Sequence, residues 1–170
     1  MIEFYLGGAR SGKSRLAEAA VCATGKARVY LATAQPRDGE MGDRIARHRA
    51  GRDKHWLTIE EPLALSTALR QHAREDRCIL VDCLTLWLSN WLEQGEDQWQ
   101  QAKLEFLEVL PELPGDIVLV SNEVGQGVVP VNALARQFVD ESGWLHQALA
   151  TQCDRVKFVV AGIAITLKEN

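Results

Sequence analysis

Apolar residues gather along the chain in short, nearly unbroken runs: IEFYL (2–6), RVYLA (28–32), CILVD (78–82), DIVLVS (116–121) and RVKFVVAG (155–162). Runs of that length without polar alternation suit strands covered on both faces. Between them the apolar spacing turns helical, predicting helices over 14–24, 42–50, 62–74 and 131–150. Two more helices share 83–110, parted by the polar break EQGED. In the 131–150 segment Val131, Leu134, Ala135, Phe138, Leu145 and Leu149 form one apolar stripe. The late AITLK reads as an added edge strand, with the turn near Gly162. Strands alternating with helices predict an α/β fold, a mostly parallel sheet flanked by helices.

No repeat, low-complexity tract or dividing linker appears in the 170 residues, so a single domain over 1–170 is expected. A chain of this size buries roughly 70% of its unfolded surface. Its 19 Lys+Arg against 23 Asp+Glu give a net charge of −4. That balance argues against a nucleic-acid or membrane-surface binder, which needs excess basic charge. The apolar runs are far shorter than the ~20 residues of a membrane span. The start MIEFYLGGARSGKS turns glycine-rich and basic too soon for a secretory leader. The four cysteines (22, 78, 83, 153) show neither a Cys-x-x-Cys pair nor zinc-ligand spacing, and two lie in or beside an apolar run. Buried free thiols in a cytoplasmic protein are the expectation.

The first chemistry lies in GGARSGKS (7–14), which fits G-x-x-x-x-G-K-[ST] between an apolar strand and a helix. Backbone N–H groups of Gly7, Gly8, Ala9, Arg10, Ser11 and Gly12 can wrap phosphates, and the helix start adds positive potential. Lys13 can reach the β- and γ-phosphates, while the Ser14 hydroxyl can ligate Mg²⁺. Asp82, closing CILVD, is placed to hold that metal, directly or through water. Capping the next helix is a compatible duty. The motif specifies a nucleoside triphosphate but not a reaction.

A switch GTPase should carry Asn-Lys-x-Asp, and a transporter ATPase Leu-Ser-Gly-Gly; neither tetrapeptide occurs. The DESG at 140–143 lies too late for a switch and reads as a helix end. A small kinase or nucleotidyltransferase remains. In MGDRIARHRAGR (41–52), Arg44, Arg47, Arg49 and Arg52 surround His48, with Arg44 and His48 sharing a helical face. Residues 37–54 hold six Lys/Arg and four Asp/Glu, too mild an excess for RNA but suited to phosphate forks. A neutral imidazole can take a phosphoryl or nucleotidyl group. By spacing alone, His48 stays open between that role and a solvated helix residue.

GGARSGKSRLAE, RVYLATAQ, EMGDRIARHRAGR, HWLTIEEP and SNEVGQGVVPVNALARQFVDESGWLHQALA together resemble the bifunctional adenosylcobinamide kinase / adenosylcobinamide-phosphate guanylyltransferase family of cobalamin biosynthesis. The resemblance spans essentially the whole chain. It implies a RecA-like P-loop fold and a homotrimer. It implies phosphorylation of adenosylcobinamide by ATP or GTP. GMP then passes from GTP, through a GMP-histidine at His48, to adenosylcobinamide phosphate. It further implies nucleotide contacts at Thr33, Ala34 and Gln35, phosphate contacts at Arg49 and Arg52, and nucleotide recognition by Glu60 or Glu61. Trp87 and Trp91 in LTLWLSNWL are candidates for the subunit contact, or else ordinary core. Where the family shows Asn-Gln, this chain has His146-Gln147. Asn122 and Glu123, with Gly125 and Gly127, form either a substrate or metal contact or a structural turn. No general base for the kinase step stands out; Asp82 is a candidate already engaged by metal.

Two rivals remain open. One is a P-loop kinase of another small metabolite without a covalent intermediate; the other is a nucleotide-dependent regulatory protein.

Overall fold

The structure, a computed structural model, describes residues 1–35 and 55–170. The predicted 42–50 helix, with Arg44, Arg47, His48, Arg49 and Arg52, lies outside the described residues.

The described chain runs β1 (Ile2–Gly7), α1 (Lys13–Ala23), β2 (Ala27–Ala32), β3 (Trp56–Glu60), α2 (Leu65–His72), β4 (Arg77–Asp82), α3 (Leu84–Leu92), α4 (Glu96–Val109), a 3₁₀ turn (Leu110–Glu112), β5 (Asp116–Asn122), α5 (Ala133–Gln152), β6 (Arg155–Val160) and β7 (Ile163–Glu169). The sheet order is β3-β2-β4-β5-β1-β6-β7. All neighbours are parallel except β6 and β7, which form an antiparallel hairpin at the edge.

Both faces of the central strands are covered, which is why their apolar runs do not alternate with polar residues. Phe4, Leu31, Ile79, Val81, Ile117 and Leu119 face a core shared with Leu65, Leu69, Trp87, Trp99, Phe106, Leu145 and Leu149 from α2 to α5. The intervening Tyr5, Tyr30, Leu80, Val118 and Val120 face the other way, toward Ala17 and Val21 of α1. A strand residue shifted by one register would exchange one core for the other, so the pleat fixes the pairing.

Three expectations need correction, and one alternative left open is settled for Trp87. WLTIE forms β3, absent from the periodicity reading. Among the described residues it is an edge strand paired only to β2, with Leu57 exposed and charge at its end, so the buried-strand signal is missing. The stripe in α5 holds for Leu145 and Leu149, but Val131 precedes the helix at 95% exposure and Leu134 is 60% exposed. Residues 140–143 sit inside α5 rather than at its end. There Glu141, almost wholly buried, accepts from Trp99 Nε1 at 2.6 Å, Gln100 Nε2 at 2.7 Å and Lys103 Nζ at 2.8 Å, pinning α5 to α4. Finally, Trp87 is core, 1% exposed, and it and Trp91 donate indole N–H groups to the Leu63 carbonyl.

The helix over 62–74 shortens to α2, because Pro62 and Leu63 belong to a turn that the Glu61 carboxylate holds through Leu63 N (3.0 Å) and Ala64 N (2.8 Å). All four cysteines are free: Cys78, Cys83 and Cys153 buried, Cys22 half-buried. Among the described residues no helix is long and apolar enough to cross a membrane.

Candidate active site

β1 delivers the glycine loop to the carboxyl edge of the sheet, and α1 carries the chain away. Gly12 enters α1 in the left-handed conformation (φ 95°), and no side chain among the described residues caps the helix. Its first N–H groups are therefore left to an anion. The loop is tight: a Cβ on Gly7 would lie 2.5 Å from the Val159 carbonyl oxygen and 2.7 Å from Ser11 Oγ. Lys13 is mostly buried and donates from Nζ to the Gly8 carbonyl at 3.1 Å, folded back over the loop. Ser11 Oγ is buried and has no hydrogen-bond partner among the described residues, a donor suited to a phosphate oxygen. Arg10, at φ 57°, is exposed at the loop's apex, and Gly8, Ala9 and Ser14 complete the turn into α1.

Asp82 ends β4 at the same edge. β5 alone separates β4 from β1, which puts their axes about 10 Å apart at ordinary strand spacing. Asp82 does not cap α3, whose N-cap is Cys83 without a side-chain bond. Its Oδ2 instead accepts from the Tyr30 hydroxyl at 3.0 Å. Ser14 and Asp82 offer one hydroxyl and one carboxylate, hard oxygen donors that suit Mg²⁺ when phosphate oxygens and water complete its shell. The described residues contain no group of three or more His, Cys, Asp or Glu able to hold a metal unaided.

Thr33, fully buried just beyond β2, donates from Oγ1 to the Cys83 carbonyl (2.7 Å) and accepts from the Cys83 N–H (2.9 Å). Asn90 donates to the carbonyls of Thr33 and Pro62, both at 2.9 Å. Thr33 is thus a strut for the Asp82 edge, leaving Ala34 and Gln35, both half-buried, as the members of that trio nearer solvent. Glu60, at the end of β3, is exposed, whereas Glu61 is committed to the turn before α2.

Sequence reasoning left Asn122 and Glu123 between two roles. The Asn122 side chain donates to Thr85 Oγ1 at 2.8 Å, and the Glu123 carboxylate accepts from Gly125 N–H at 2.5 Å. The first bond ties the end of β5 to α3, and the second closes the turn that follows β5. The Glu123 N–H also donates to the Gly7 carbonyl at 3.0 Å, joining this turn to the phosphate loop. Gly127 has open space around it and no positive φ, so nothing in the turn demands glycine there. His146 reaches β5 from α5, its Nε2 sharing a 2.8 Å hydrogen bond with Ser121 Oγ. Burial depresses its pKa to about 4, against the opposing pull of the Glu123 charge, so the ring is neutral at pH 7. Tyr30, Asn90 and Thr85 went unnoticed in the sequence; each is a polar residue in an otherwise apolar stretch beside the sheet edge, the one signal available.

Comparison with known proteins agrees with this geometry. The profile of the family described as cobinamide kinase / cobinamide phosphate guanyltransferase matches residues 4–167. The bifunctional adenosylcobalamin biosynthesis protein CobP of Pseudomonas aeruginosa is 59% identical over 169 residues, covering 99% of this chain and 98% of the relative. The proteins named CobU from Salmonella typhimurium and Escherichia coli are 39% and 36% identical, each over 99% of this chain and 100% of theirs. Among solved structures, the RadB recombinase superposes with a TM-score of 0.55 at 15% identity, over 92% of this chain and 73% of its own. A Pyrococcus horikoshii OT3 protein gives 0.55 at 11% identity, over 99% and 86%. At such identities these two report the fold alone, the RecA-like P-loop architecture. The chain belongs to the cobinamide kinase / cobinamide phosphate guanyltransferase family, bifunctional enzymes of adenosylcobalamin biosynthesis.

Proposed function

We propose that the loop from Gly7 to Ser14 holds the nucleotide for both reactions and that His48 carries GMP between them. The observation that supports this most is the pairing of the phosphate loop with Asp82 at one sheet edge, in a chain of this family. In the kinase step the hydroxyl of adenosylcobinamide attacks the γ-phosphorus of ATP or GTP, and the nucleoside diphosphate leaves. Lys13 and the loop N–H groups offset the charge that spreads over the transferring oxygens. In the second step an imidazole nitrogen of His48 attacks the α-phosphorus of GTP, and pyrophosphate leaves. A phosphate oxygen of adenosylcobinamide phosphate then attacks the same phosphorus and the P–N bond breaks, regenerating the imidazole. Splitting the transfer this way spares two multiply charged phosphates from meeting in a single step.

Ser14 and Asp82 would hold Mg²⁺, which when bound neutralises phosphate charge. Ala34, Gln35, Arg49, Arg52 and Glu60 complete the nucleotide contacts, with Thr33 holding the segment just beyond β2 in place. The protein is cytoplasmic and works as a homotrimer. The test is incubation with α-labelled GTP and Mg²⁺, then denaturation and treatment with acid or base. A label that is acid-labile, base-stable and absent from His48→Ala is expected. Unlabelled wild-type protein that still binds GTP would leave a simple kinase instead.

A further inference from the structure

The phosphate loop does not stand alone at the sheet edge; the β6–β7 turn is packed beneath it. That turn has two residues, Ala161 (φ 52°) and Gly162 (φ 80°), and two positive φ values are what a type I′ hairpin turn requires. The Gly162 N–H donates to the Ser11 carbonyl at 2.7 Å. A Cβ on Gly12 would lie 3.1 Å from Gly162 Cα, and the Gly7 position abuts the Val159 carbonyl just before the turn. One hairpin therefore meets both fixed glycines of the loop.

The bond to Ser11 has a directional consequence. The Ser11–Gly12 peptide is trans, so its C=O and N–H point to opposite sides of one rigid plane. A loop that binds phosphate through its N–H groups must turn its carbonyls outward, and a buried carbonyl needs a donor there. Gly162 supplies that donor. We propose that the β6–β7 turn is a positioning element of the phosphate loop: by holding the Ser11 carbonyl outward, the Gly162 N–H turns the Gly12 N–H toward the nucleotide's phosphates. This rests on the reading that the loop holds the nucleotide, and it extends that reading to a segment about 150 residues away in sequence.

Three measurements test it together. Gly162→Val puts a β-branched residue where φ is positive and displaces the turn; Gly162→Asn keeps that conformation accessible. In the valine variant KM for the nucleotide should rise at least about fivefold in both half-reactions, with KM for adenosylcobinamide within about twofold of wild type and the asparagine variant near wild type. In unmodified protein, exchange of the Gly162 amide should slow about tenfold or more when a non-hydrolysable GTP analogue and Mg²⁺ are added. A folded valine variant with unchanged nucleotide KM would overturn the proposal. So would a Gly162 amide indifferent to bound analogue, a result that needs no variant to fold. Lys13→Ala is the control on the underlying reading: if it leaves nucleotide KM unchanged, the loop is not the nucleotide site and this inference falls with it.

Discussion

His146 is an uncharged imidazole inside the folded protein, and that makes it a source of acid sensitivity. Its pKa is depressed to about 4 by burial, against about 6.5 in the unfolded chain. The unfolded state therefore binds the extra proton first. The contribution is fully present above pH 6.5 and is lost as pH falls through 4, about 3 kcal/mol in all. Urea unfolding of wild type between pH 7 and 4 should show that slope, and His146→Asn should flatten its upper part, from pH 6.5 to 4.5. The carboxylates held low in the fold, Asp116 and Glu141, act only below that window. An unchanged slope in the variant would mean that another group takes up the proton. At this scale the sequence was partly legible. Lys13 and Asp82 stand in a spacing that physics ties to phosphate, whereas the bonds of Tyr30 to Asp82 and of His146 to Ser121 join residues 52 and 25 positions apart. No local pattern encodes such a pairing.

The helices show the same division. Their existence followed from periodicity, and most ends fell within two or three residues of the observed ones, but periodicity could not say which faces meet. Glu141 reads as a polar interruption and proves to be the tie between α4 and α5. Burial disfavours its charge, yet the bonds from Lys103, Trp99 and Gln100 outweigh that and hold its carboxyl below the usual range. Removing it would leave the mostly buried Lys103 ammonium without its partner. Glu141→Ala should cost about 3 kcal/mol in a denaturant titration, with nucleotide KM unchanged. A loss below about 1 kcal/mol would show that Lys103 finds water instead. β3 escaped for the opposite reason: with one neighbour among the described residues and exposed side chains, an edge strand lacks the hydrophobic signature that marks its companions.

For the molecule as a whole, the parallel sheet between helices was legible because four of its strands had to be apolar throughout. Their order was not, since nothing local in the sequence tells β1 to lie between β5 and β6. The proposed homotrimer raises a similar point. Trp87 is spent on the core, so such an assembly would draw on exposed apolar surface instead, and Val128 (97% exposed) and Val131 (95%) offer it. Light scattering should give a mass of about 57 kDa, three copies of an 18.9 kDa chain closing a ring. The double change of Val128 and Val131 to Asp should reduce it to one copy, and a persistent trimer would place the contact elsewhere.

The burial of three thiols also makes the molecule its own clock. Desolvation lifts Cys78 and Cys153 to about 12 and Cys83 to about 11, so at pH 8 each stays protonated and slow to alkylate while folded. Half-buried Cys22 is the one expected to react first. Mass spectrometry after a short iodoacetamide pulse should show a single adduct on Cys22, with later adducts timing how often the surroundings of each buried thiol open. Cys83, one residue beyond Asp82, would report the opening of the sheet edge that carries Asp82, and bound nucleotide should slow it more than Cys153 at the end of α5. Equal slowing at both would mean that the molecule opens only as one unit.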